Sequence, residues 1–141
     1  MDSKSMTPEE RAAEVQRIRS TMILQDYYIM HRRPVAPERK ADVMLEHFQW
    51  LVRLEKEGHI LVTGGIFMRD GTQSEGLTIL RAADWDAAEA LAASDPLILA
   101  GANSYHIERF RLGAGRITVS VDFSHQSMRL VVLPPFPLNI Q

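Results

Sequence analysis

The chain has 141 residues, of which 45% are hydrophobic and 24% charged, which is enough for one folded domain with a modest core. A formal net charge of -2 excludes a general nucleic-acid binder, because the richest basic run, His31-Arg32-Arg33, is too short to neutralise a phosphate backbone. The absence of cysteine excludes disulfides, thiolate catalysis and cysteine–metal sites, and it fits a reducing compartment.

Met1 to Arg19 is charged and has no apolar h-region, so no signal peptide is expected there. No apolar run approaches the length of a membrane span. A cytoplasmic protein without a membrane partner is therefore expected. Thr7-Pro8-Glu9-Glu10 reads as a helix start: Thr7 and Glu10 make a capping box, and Pro8 suits the first helical position. Val15, Ile18 and Met22, with Ala12 a turn earlier, predict a short amphipathic helix over 8–22.

Gln25 to Arg32 follows as a strand. Tyr27 and Ile29 point one way and Tyr28 and Met30 the other, so it should be central and covered on both sides. Arg33-Pro34-Val35-Ala36-Pro37 breaks it. Glu38 to Glu57 is the longest helical pattern. Met44, Phe48, Leu51 and Glu55 form one row, and Val43, His47, Trp50 and Leu54 the adjacent one. Gly58 is placed to stop it.

His59 to Met68 is a strand whose Gly64-Gly65 predicts a bulge or a close approach by a ligand or another backbone. Asp70-Gly71 marks a turn, and Ser74 to Arg81 returns antiparallel. Asp84 caps a second helix to Ser94 that buries Trp85, Ala88, Leu91 and Ala92. Asp95-Pro96 ends it, and Leu97 to Ala100 adds a turn. Asn103 to Leu112 is a fourth strand with Tyr105 and Ile107 on one face. Arg116 to Phe123 is a fifth, and the segment from Ser124 reads as an irregular apolar tail.

The order β-α-β-β-α-β predicts an α+β, ferredoxin-like fold: an antiparallel sheet with both helices on one face. A second copy should cover the other face, two sheets together making a dimeric α+β barrel. The organisation is then an N-terminal helical extension over 1–24, the α+β domain over 25–112, and a C-terminal strand and tail over 113–141.

No P-loop, His-Glu-x-x-His or Gly-x-Ser-x-Gly is present. The five histidines have no close ligand spacing, so a metal site would require the fold to gather them, and none is expected. His47 stands inside the apolar face of the long helix. It reads either as a histidine at the edge of the core or as a general acid or base working near neutral pH. Asp95 reads either as a cap for the turn at Pro96 or as the carboxylate that orients His47.

His47-Phe48-Gln49-Trp50-Leu51, Leu54 and Gly58-His59-Ile60-Leu61-Val62-Thr63-Gly64-Gly65 resemble the first helix and second strand of YciI-like (YCII-related) proteins. Gly76 to Leu80, Ala87 to Ala93, Ser94-Asp95-Pro96-Leu97 and Ile107 to Phe110 extend the resemblance over residues 25 to 112. Two places depart from it: Gly64-Gly65 stands where the family often has Gly-Pro, and Arg109-Phe110 where it often has a proline before an aromatic. The resemblance implies a dimeric α+β barrel and an active pair that maps onto His47 and Asp95. Members of the family include a dehydrochlorinase of a chlorinated hydroxyhydroquinone, and muconolactone isomerases share the barrel.

Two functions follow. One is an enzyme for acid–base elimination or isomerisation of a small cyclic or hydroxylated aromatic compound, with no organic cofactor. His47 and Asp95 are its catalytic residues. Tyr27, Tyr28, Trp50, Gly64, Gly65 and Phe67 are its substrate-binding residues, although ordinary core packing also accounts for each large side chain. Arg32 or Arg33 would hold an acidic substrate or sit solvated at the surface. The other function is a non-catalytic small-ligand-binding or assembly module. There the apolar tail Leu130–Ile140 crosses to a neighbouring subunit of a homodimer or a dimer-based oligomer.

Overall fold

Strand β1, Gln25–Pro34, alternates its side chains across an antiparallel sheet in the computed structural model, which describes residues 3–131. The chain divides into two compact units, residues 24–112 and residues 1–23 with 113–141. In the first, the strands are β1, β2 (Ile60–Phe67), β3 (Gln73–Leu80) and β4 (Asn103–Leu112). They lie in the order β2-β3-β1-β4, every pair antiparallel, so β1 is interior as its two apolar faces predict. This is the expected ferredoxin-like arrangement.

Helices α2 (Met44–Lys56), α3 (Trp85–Ala93) and α4 (Pro96–Leu99) pack on one face of the sheet. Tyr28, Met30 and Leu80 from the strands meet Trp50, Leu54, Ala88 and Ala92 from the helices in the core. Burying each large apolar side chain such as Met30, Leu54 or Leu80 contributes about 1.5–3 kcal/mol. The opposite face carries half-buried Ile29, Leu77 and Ile79, with Val62 and Ile66 exposed.

The long helix is shorter than its apolar pattern. Residues 38–43 are taken up by two single 3-10 turns, Pro37–Arg39 and Ala41–Val43, and α2 begins only at Met44. Neither turn has a side-chain cap, and Pro37 holds the first. The end is as expected. Gly58 has φ +81°, its N–H donates to Glu55 O, and His59 N–H donates to Leu54 O at 2.8 Å, a Schellman stop.

The two register shifts of the β2–β3 pair flank the glycine pair rather than sit at it: an extra residue on β2 between Ile60 and Val62, and one on β3 opposite Ile66 and Phe67. Gly64 and Gly65 themselves keep register with Leu77 and Gly76. Asp84 caps α3 through Ala87 N–H at 2.8 Å. Its Ala88 and Ala92 are buried and Leu91 half-buried, but Trp85 stays largely exposed, edge-on to Tyr28.

In the second unit, α1 spans Pro8–Arg19 with the expected Thr7–Glu10 capping box. It buries none of its residues, so the predicted apolar stripe remains exposed at Val15 and Ile18. The helix ends at Arg19, short of the predicted 22, so Met22 falls outside it, and Ala12, Val15 and Ile18 make too narrow a stripe for a core face. Strand β5 is trimmed to Thr118–Asp122 and pairs with β6, Ser127–Val131, where an irregular tail was expected. Leu133 to Pro137, and with them most of the tail expected to reach a neighbouring subunit, lie outside the described residues.

Candidate active site

Arg32 has the same parity along β1 as Tyr28 and Met30, so it faces the helices although it is charged. It is only 3% exposed, which overturns the solvated role weighed for it. Its Nη1 donates to Thr78 Oγ1 at 2.6 Å, and the Thr78 hydroxyl lies 2.8 Å from that of Thr63. Gly76, directly opposite on β3, makes room for it. A Cβ there would fall 3.0 Å from Arg32 Nε and 3.1 Å from Nη2. Arg33 points to the other face and pairs with Glu75 at 2.7 Å.

His47 stands one turn into α2 and is 5% exposed; Asp95, between α3 and α4, is fully buried at 0%. The backbone of Asp95 is extended at φ -62° and ψ 125°, as the following proline requires. Its Oδ1 accepts Leu97 N–H at 2.9 Å, capping α4, and lies 2.8 Å from His47 Nδ1. A carboxylate oxygen already accepting one N–H is an acceptor for the imidazole too, so Nδ1–H donates and Nε2 is left as the nitrogen for a ligand. The two readings of Asp95, cap and orienting partner, are thus served by one oxygen.

Arg32 Nε stands 3.7 Å from Asp95 Oδ2, an ion pair beyond hydrogen-bond reach. Burial pulls the guanidinium below its ordinary pKa, and the charge of Asp95 works against that shift. Asp95 Oδ2 and Asn103 Oδ1 are buried without a hydrogen-bond partner. His47, Arg32 and Asn103 share the wall of a cavity of about 270 Å³ with Thr63, Gly64 and Gly65 from the edge strand β2. Phe48, Lys40 and Met44 also line it.

Of the residues expected to bind substrate, Gly64 and Gly65 reach this cavity. Tyr28 and Trp50 are in the core, where Trp50 Nε1–H donates to Ser94 Oγ at 2.9 Å. Tyr27 is buried on the opposite face of the sheet, paired with Phe110. Phe67 is 62% exposed and does not line the cavity. Thr63, Thr78 and Asn103 were not singled out in the sequence; the parity of β1 was the signal available for Arg32.

Residues 26–111 match the family model of the YCII-related domain, more than half of the chain. The chain belongs to the YCII-related domain family. Among solved structures it is similar to 5-chloro-2-hydroxyhydroquinone dehydrochlorinase (TftG) from Burkholderia phenoliruptrix AC1100, in complex with 2,5-dihydroxybenzoquinone. The identity is 21% and the TM-score 0.50, over 60% of this chain and 92% of that one, a likeness of fold. No curated protein matches the sequence. No helix among the described residues is long and apolar enough to cross a membrane.

In this YCII-related domain the Gly76–Arg32 contact is a testable part of the site. Gly76→Ala is expected to destabilise the fold by about 1–3 kcal/mol, because Arg32 is buried and bonded and cannot swing aside freely. Urea unfolding measures this. A midpoint equal to that of the wild type would mean that Arg32 yields without cost.

Proposed function

We propose that this YCII-related domain is a small-molecule enzyme that uses His47 and Asp95 for acid–base elimination or isomerisation of a small cyclic or hydroxylated aromatic compound. The observation that carries the reading is the 2.8 Å His47 Nδ1–Asp95 Oδ1 contact beside a cavity that His47 itself lines. A histidine kept only for packing needs neither a carboxylate orienter nor a cavity. Oriented through Nδ1, it presents Nε2 as the base.

In this mechanism Nε2 takes a proton from a ring hydroxyl or ring carbon. The electron pair released moves into the ring. In elimination a leaving group departs with its bonding pair; in isomerisation the proton returns at another atom. Asp95 holds the ring of His47 and stabilises the imidazolium. Arg32, buried on the same wall, stabilises the oxyanion that develops, where low dielectric makes its charge count most. Asn103, on the same wall, offers its side-chain amide to a substrate hydroxyl. About 270 Å³ suits one small ring rather than a drug-sized ligand. The TftG likeness motivates the choice of compound class and carries no residue role.

The same reading keeps the homodimer implied by the family, with the apolar face of Ile29, Leu77 and Ile79 against a second copy. Its support is that Tyr27, Ile29, Leu77, Ile79 and Phe110 make one apolar patch on this face, beside the polar cluster of His31, His106 and Glu108.

The test is an assay of the purified full chain against chlorinated hydroxyhydroquinones and muconolactones. Halide release and the change in ring absorbance are followed together. Turnover above the buffer rate on either class is expected. Buffer-rate behaviour on both would remove the proposed chemistry.

A further inference from the structure

We propose that His31, His106 and Glu108 form a binding site for a divalent transition-metal ion, taking Zn²⁺, on the sheet face opposite α2 and α3. These residues lie apart from the cavity of His47. His31 on β1 and His106 on β4 are directly opposite in the antiparallel register. Glu108, two residues along β4, therefore shares their face.

The ligand atoms of the three residues all lie within 4.8 Å of one another. Glu108 Oε1 is 2.9 Å from His31 Nε2 and 3.4 Å from His106 Nε2. Ligands on a tetrahedral zinc ion, with bonds of about 2.0–2.1 Å, stand roughly 3.3 Å apart, so two of the three edges are nearly right already. The rings of His31 and His106 are stacked, 4.5 Å between centroids and 6° between planes. His31 is held on both sides by carboxylates, so turning the His106 ring out of the stack is the movement that would aim its Nε2 lone pair at the ion.

A simple cross-strand ion pair would join one imidazole to one carboxylate. Here two imidazoles converge on one carboxylate oxygen, and a further carboxylate engages the far side of His31: Glu75 Oε2 lies 3.4 Å from its Nδ1. Arg33 pairs with Glu75 at 2.7 Å and holds that carboxylate in place beside His31. That is the outer contact of a metal-binding histidine: Nδ1–H on a carboxylate, Nε2 left for the ion. Two imidazoles and one carboxylate suit zinc and its neighbours and leave a fourth position for water or a small ligand.

The experiment is calorimetric titration of Zn²⁺ into the untagged full chain, with a melting curve for each sample. One ion per chain is expected, a count that reads the same for a monomer or a homodimer. Tm should rise with Zn²⁺. His106→Ala and Glu108→Ala, both at positions exposed in the single chain, should each weaken binding at least tenfold and abolish the Tm rise. His47→Ala should bind as the wild type does. No binding by the wild type, undiminished binding by His106→Ala, or loss of binding in His47→Ala would each overturn the site.

Discussion

Asp95→Ala is expected to cost about 3–5 kcal/mol of stability, the penalty of stranding the other member of a buried ion pair. Arg32 would keep its charge, because guanidinium does not give up its proton in proteins, and would face the interior without the carboxylate now 3.7 Å away. Helix α4 would lose its cap at the same time, and His47 its partner. Denaturant unfolding reads the loss as a lower midpoint at unchanged slope. Asp95→Asn is the informative control. It retains an acceptor for Leu97 N–H while removing the charge, so its loss should be smaller. A change under about 1 kcal/mol in Asp95→Ala would show that Arg32 finds compensation elsewhere.

The second large effect is on turnover. With a substrate from the assay in hand, His47→Ala is expected to lower kcat by roughly 10²-fold or more, the usual contribution of a positioned general acid or base. The fold should survive, because Asp95 keeps Arg32 and Leu97 N–H as partners. Steady-state kinetics beside circular dichroism separates the two effects. Full turnover in the variant would take His47 out of the chemistry.

Much of the fold was legible because alternation and helical spacing are local. β1 declares two apolar faces in the residues from Tyr27 to Met30, and Asp84 and Gly58 punctuate helices by their own conformational preferences. The start of α2 was not legible. Val43 and Met44 continue the helical spacing upstream, and spacing alone does not distinguish an α-helix from successive 3-10 turns. β6 was missed because a five-residue strand beside a proline-rich segment gives little periodicity.

In the site, His47 and Asp95 were named through a family resemblance; their 48-residue separation offers no spacing to read. Tyr28 and Trp50 read equally as pocket walls or core in the sequence, because both ask for the same side chains, and the fold puts them in the core. Arg32 was the readable miss: its parity places it with Tyr28 and Met30, and charge alone suggested the surface. His31 and His106 meet only through strand register, which no motif scan samples.

The single oxygen that both starts α4 and orients His47 bears on how such a domain can change over time. A descendant without the proposed chemistry would still be held to an acidic residue at position 95, because it caps α4 and faces the buried Arg32. The histidine starts no helix and neutralises no arginine, so drift could remove it once the chemistry lapsed. Among related chains, an aspartate at this place therefore speaks for the architecture, and a histidine facing it is the residue that tracks the proposed chemistry.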